Sequence, residues 1–69
     1  MNPEEAIKKL KEGNARFVSG KSNHRDLVAQ RKSLVSGQKP FAIILTCSDS
    51  RVAPEHIFDA GLGELFVVR

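Results

Sequence analysis

At 69 residues the chain is at most one small domain, and a domain of that size buries only about 60% of the surface its unfolded chain exposes. A hydrophobic share of 41% and a charged share of 28% are ordinary for a globular protein, so composition calls for neither disorder nor a fibre. The single cysteine excludes an internal disulfide, and the longest apolar run is far below the roughly 18 residues of a membrane span. The formal charge of +3 is carried largely by a segment that also holds acids: Glu4 with Lys8, Glu5 with Lys9, and Lys8 with Glu12 stand at helical i,i+4 spacing. No aromatic residues interleave with the basic ones as stacking on bases requires, so nucleic acid is not expected as a partner, and with no apolar run of membrane length neither is a membrane. Met1 to Glu5 lacks the basic and apolar regions of a signal peptide, and a cytoplasmic location is expected.

In chain order, Asn2 is a good N-cap, Pro3 suits the first helical position, and Glu5 completes a capping-box pattern. Ile7, Leu10, Phe17 and Val18 form an apolar stripe that Gly13 and Asn14 interrupt, which predicts a helix to about Val18 with a weak middle. Such a stripe serves either to cover the chain's own sheet or to lie across a partner. A loop over 19–23 follows, with His24 read as a solvated loop residue. Asp26 caps a second amphipathic helix over about 26–36, bearing Leu27, Val28, Leu34 and Val35, with Gly37 just past its end.

Phe41-Ala42-Ile43-Ile44-Leu45-Thr46 is a continuous apolar run that reads as a buried parallel strand, and the loop Cys47-Ser48-Asp49-Ser50-Arg51 follows at its carboxyl end. Open α/β sheets place their chemistry there. An extended loop would point the thiol, the carboxylate and the guanidinium the same way, because side chains alternate with period two. Pro54-Glu55 opens a short helix carrying Ile57 and Phe58 inward and His56 at the surface; Gly61 and Gly63 break it. Leu65-Phe66-Val67-Val68 is a second apolar run, so residues 38–69 make a strand, helix, strand unit with parallel strands. The fold class is therefore α/β: a parallel β-α-β sheet fragment preceded by two amphipathic helices. The 69 residues form a single partial domain, with the helices in 1–37 and the site loop in 38–69. A sequence that closes on a core strand is expected to leave a sheet edge awaiting its next strand.

Taken singly, the site residues are ambiguous. A lone Cys47 usually packs as a small hydrophobe, and Asp49 with Arg51 is an ordinary loop salt bridge. Together they resemble a family. Gln38-Lys39-Pro40-Phe41-Ala42, Cys47-Ser48-Asp49-Ser50-Arg51-Val52, Pro54-Glu55, Ile57-Phe58-Asp59 and Gly61-Leu62-Gly63-Glu64-Leu65-Phe66-Val67-Val68-Arg69 are similar to the first half of a β-class carbonic anhydrase. Leu10-Lys11-Glu12-Gly13-Asn14-Ala15-Arg16-Phe17 resembles that family's amino-terminal helix.

The resemblance implies a zinc lyase that interconverts carbon dioxide and bicarbonate, with one Zn2+ per complete subunit. It makes Cys47 a zinc ligand, and Asp49, positioned by Arg51, the acceptor that orients the zinc-bound water. In a closed state Asp49 itself becomes the fourth ligand. Gln38 donates an amide hydrogen bond to the substrate, Phe66 lines the pocket for carbon dioxide, and exchanged amino-terminal helices make a homodimer or higher homo-oligomer. The family's other zinc ligands come from a His-x-x-Cys, and none occurs in these 69 residues, so the chain alone is expected to be inactive. Two other classes compete. A cysteine phosphatase or sulfurtransferase places Cys and Arg six apart around an oxyanion loop; here they are four apart, and Asp49 would repel the oxyanion. A non-catalytic relative that keeps the dimerising helices as an interaction module is the other, and zinc content separates it from an enzyme.

Overall fold

The computed structural model describes all 69 residues and contains α1 (Pro3–Val18), α2 (Leu27–Ser33), β1 (Ala42–Leu45), α3 (Pro54–Ile57) and β2 (Leu65–Val68). β1 and β2 pair in parallel, Ala42 against Leu65 through Leu45 against Val68. The α/β class and the β-α-β unit are as the sequence implies.

α1 begins where the cap pattern puts it. Asn2 is extended, its side-chain oxygen accepts the Glu5 N–H at 2.9 Å, and its amide donates to Glu5 Oε1 at 3.1 Å. The box thus closes through the asparagine amide, whereas the usual form uses the cap's backbone N–H. The expected weak middle is in fact the docking point of the helix. Gly13 is buried against the Phe58 carbonyl, and the Asn14 amide donates to the Ile57 carbonyl at 3.0 Å, satisfying an orphan acceptor at the end of α3. Of the apolar stripe only Leu10 is partly covered: Ile7 and Phe17 are about half exposed and Val18 more so.

α2 starts at the Asp26 cap, whose carboxylate accepts the Ala29 N–H, but it ends at Ser33, three residues sooner than expected. From Leu34 onward the bonds reach back only three residues, Leu34 to Arg31 and Val35 to Lys32, and Ser33 Oγ donates to the Gln30 carbonyl. The last turn is tightened in the 3₁₀ manner. Leu34 packs over Gly63, and Gln30 Oε1 accepts the Leu62 N–H, fastening α2 to the turn before β2.

α3 is one turn opened by the fully buried Pro54. Its terminator is Asp59, and neither Gly61 nor Gly63 breaks it. Asp59 takes φ 44, the Asp59 N–H reaches the His56 carbonyl, and the Ala60 N–H reaches the Glu55 carbonyl. This is a Schellman closure with aspartate in the left-handed position usually given to glycine. The carboxylate explains the choice. Buried to 5% exposure, it accepts from Arg16 Nε at 2.5 Å and from the Asn23 N–H at 3.2 Å on both oxygens, while Arg25 donates to the Asp59 carbonyl. One residue thereby ties α1, the 19–26 loop and α3 together. The Arg16 hydrogen bond holds its carboxyl below the usual carboxylate range.

The strands are not buried on both faces as their continuous apolar runs imply. Leu65 is buried and Ala42, Ile44 and Val67 are partly covered, while Ile43, Leu45, Phe66 and Val68 form an open face, with Leu45 83% exposed. The elements in these residues suffice to cover one face only. No helix is long and apolar enough to cross a membrane.

Candidate active-site loop at the strand ends

The loop after β1 starts as an extension of the sheet, the Thr46 N–H donating to the Val68 carbonyl at 2.9 Å. It then departs from the extended form expected of it and folds into a turn about Asp49. The Arg51 N–H donates to Asp49 Oδ1 at 2.8 Å and the Val52 N–H to the Asp49 carbonyl at 2.9 Å. An aspartate side chain capping the amide two residues on is an Asx turn, a local preference of this residue type.

Because the chain turns, the Arg51 side chain folds back onto the same carboxylate. Its Nε lies 3.1 and 3.2 Å from the two Asp49 oxygens and its Nη2 2.7 Å from Oδ2, a fork on a carboxylate. These bonds keep the Asp49 carboxyl below its ordinary range and raise Arg51 above its own. Asp49 is therefore an ionised, acceptor-only group through the neutral range. The Asp49 N–H points at the Cys47 sulfur, 3.4 Å away, and Cys47 is exposed with a free thiol. Thiol, carboxylate and guanidinium do share one loop, but a turn brings them together and not strand-like alternation.

Gln38 and Phe66 are not part of this group within one chain. Gln38 precedes β1 and lines an open cleft with Leu34, Gly37 and Leu62, at the end of the strand opposite Cys47. Four strand residues separate those ends by about 13 Å. Phe66 pairs with Ile43 on the open face, two residues short of the end of the sheet at which the loop lies. His24 and His56 are both exposed, in the loop after α1 and on α3 respectively.

Sequence reasoning overlooked Arg69. Its Nε donates to the Cys47 carbonyl at 3.4 Å and its Nη2 to the carbonyls of Asp49, at 3.3 Å, and Val52. The signal was available: in a parallel pair, the residue after one strand lies beside the loop after its neighbour, and Arg69 is the charge that follows Val68.

A thiol beside a clamped carboxylate at the carboxyl end of a parallel sheet defines a class: an α/β protein whose site loop offers a soft metal donor next to a fixed acceptor. The comparisons make the class particular. Residues 42–69 match the family described as carbonic anhydrase. The chain is 58% identical over 69 residues to carbonic anhydrase 2 of Mycobacterium tuberculosis (strain CDC 1551 / Oshkosh), covering 99% of this chain and 33% of that protein. It is 52% identical over 69 residues to the carbonic anhydrase of Mycolicibacterium smegmatis, covering 99% of this chain and 34% of that one. To beta carbonic anhydrase 3 of Arabidopsis thaliana it is 35% identical over 68 residues, 99% of this chain and 26% of the plant protein. The chain belongs to the β-class carbonic anhydrase family, and it spans about a third of the length of the mycobacterial relatives it matches.

Membership brings an implied zinc, and the residues present do not complete a site for it. Catalytic zinc takes about three protein ligands and one open position. No three His, Cys, Asp or Glu side chains converge anywhere in the chain, and the loop offers only Cys47 and Asp49. The chemistry of the pair fits one edge of a zinc site, a thiolate donor with a carboxylate beside it.

Proposed function

We propose that these residues are the first-motif part of a zinc-dependent β-class carbonic anhydrase, which interconverts carbon dioxide and bicarbonate in the cytoplasm. The observation that carries the reading is the Arg51 fork on Asp49 next to the free Cys47 thiol, in a chain 58% identical to a named carbonic anhydrase. Cys47 supplies one zinc ligand, and the others come from outside these 69 residues. Zinc in a complete site provides Lewis acidity that makes water nucleophilic near neutral pH, an effect for which carbonic anhydrases are the standard example.

The work of this chain's own residues follows from their geometry. Asp49, kept ionised by Arg51, holds a hydrogen bond from a reacting O–H and thereby directs the oxygen lone pair toward carbon dioxide. Arg51 does this through geometry, as its planar fork leaves the carboxylate one orientation. Release of that fork frees Asp49 to become a metal ligand, which gives the same loop a closed arrangement. Phe66 contributes apolar surface for a nonpolar substrate. Gln38, at the far end of β1 from its own loop, reaches a bound bicarbonate only when a neighbouring copy brings it there. A homodimer or higher homo-oligomer accounts for this and for the exposed stripe of Ile7, Phe17 and Val18 on α1.

The incomplete donor set favours a second reading, a non-catalytic interaction module, and one experiment separates the two. The 69-residue chain is mixed with zinc, alone and together with a peptide carrying the remaining two thirds of the M. tuberculosis relative. Bound metal is measured after gel filtration, and carbon dioxide hydration by stopped flow. Expected are little zinc and no hydration for the chain alone, with about one zinc per chain and hydration for the pair. A pair that assembles without zinc supports the module. Stoichiometric zinc and hydration by the chain alone would overturn the ligand count.

A further inference from the structure

The loop carrying Cys47, Asp49 and Arg51 has two kinds of tie. The bonds of the turn, from the Asp49, Arg51 and Val52 amides and the Arg51 fork, begin and end inside the loop. They set its shape but not its position over the sheet. Arg51 adds no outside anchor, being 88% exposed with Asp49 as its partner. Beyond the chain's continuation into the buried Pro54, position comes from the Thr46 N–H on the Val68 carbonyl, a single pivot, and from the residue that follows β2. That residue is Arg69, whose Nε and Nη2 reach the carbonyls of Cys47, Asp49 and Val52, spanning the loop from first residue to last.

We infer that Arg69 is a positioning residue: it pins the site loop to the end of β2 through three backbone carbonyls and so sets where the Cys47 thiol and the Asp49–Arg51 pair stand. The contacts are all to backbone, so they are indifferent to the loop's side chains and hold it whether Asp49 is clamped or released. Two donor nitrogens in a rigid plane are needed to span carbonyls five residues apart; an ammonium offers one nitrogen at one point. The link from loop position to turnover rests on the carbonic anhydrase reading, while the pinning itself does not.

The test uses the 69-residue chain without metal. Backbone ¹⁵N relaxation is measured for wild type, Arg69→Ala and Arg69→Lys. Order parameters for residues 47–52 are expected to fall from about 0.85 to below about 0.6 in both variants, while Ile44 and Val67 remain rigid. A variant that only weakened the fold would loosen the strands as well. If Arg69→Ala fails to fold, Arg69→Lys, which keeps the stem and the charge, carries the test. Residues 47–52 as ordered as the strands in either folded variant would overturn the inference; for the lysine variant, charge without reach would then be enough. In the reconstituted pair, Arg69→Lys is expected to lower kcat about tenfold with KM unchanged, since it touches no substrate. A wild-type pair that does not hydrate carbon dioxide defeats the enzyme reading and leaves the relaxation result standing.

Discussion

Replacing Gly13 by alanine sets two well-measured effects against each other. Helix propensity alone favours the change by about 0.8–1 kcal/mol, because glycine is the costlier residue in a helix interior. The docking of α1 opposes it. A methyl group at position 13 would lie 1.8 Å from the Phe58 carbonyl oxygen and 2.7 Å from its carbon, where ordinary contact begins at 3.4 Å. Relief requires the helix and the end of α3 to separate by about 1.6 Å, since a backbone carbonyl cannot rotate aside as a side chain does. Overpacking of this kind costs about 1–3 kcal/mol, and the shift also stretches the 3.0 Å Asn14 bond to Ile57, worth about 1 kcal/mol. The clash therefore wins, with a net loss of about 2 kcal/mol. In a domain this small that lowers the melting temperature by about 8–16 °C. Thermal unfolding followed by far-ultraviolet circular dichroism measures it, with the exposed Lys11→Ala as a control expected within about 0.5 kcal/mol of wild type. A Gly13→Ala chain that melts above wild type, as propensity alone dictates, would refute the docking.

Two further outcomes are expected. The folded-state carboxyl of Asp59 lies below its unfolded value, so its contribution to stability is complete above about pH 5 and is lost as pH falls through the folded value. Asp59→Asn, which keeps a residue tolerant of the left-handed backbone, should be less stable at pH 7 and show a shallower acid limb in melting temperature against pH; an unchanged limb would sink the role given to Asp59. Asp49 and Glu64, also lowered, leave a residual slope in that variant. In the reconstituted enzyme Arg51→Lys should reduce turnover about tenfold or more, because a point charge cannot fork a carboxylate. Near-normal hydration by that variant at every pH would show that the orientation of Asp49 does not matter.

What the amino-acid order determined by itself is the set of features whose causes lie within a few residues. The Asn2 cap, the course of α1 to Val18, the Asp26 cap and the two apolar runs that become β1 and β2 were all legible. The loop motif was legible too, because Asp49 and Arg51 are two residues apart and meet through a local turn. Parallel pairing followed from the strand, helix, strand order. Tertiary structure decided the rest, where the cause of a residue's role is a partner far along the chain. Gly13 and Asn14 read as a defect in a helix until the end of α3, 43 residues away from Asn14, comes to rest against them. Asp59 looked like an unremarked residue before two glycines, yet it closes α3 and gathers Arg16, Asn23 and Arg25 from 34 to 43 residues upstream. Arg69 reaches the Cys47 carbonyl only because the strands are parallel and their ends coincide, 22 residues apart in sequence. Periodicity and spacing encode what neighbouring residues do to one another; the convergence of distant backbone carbonyls and carboxylates is a property of the packed chain.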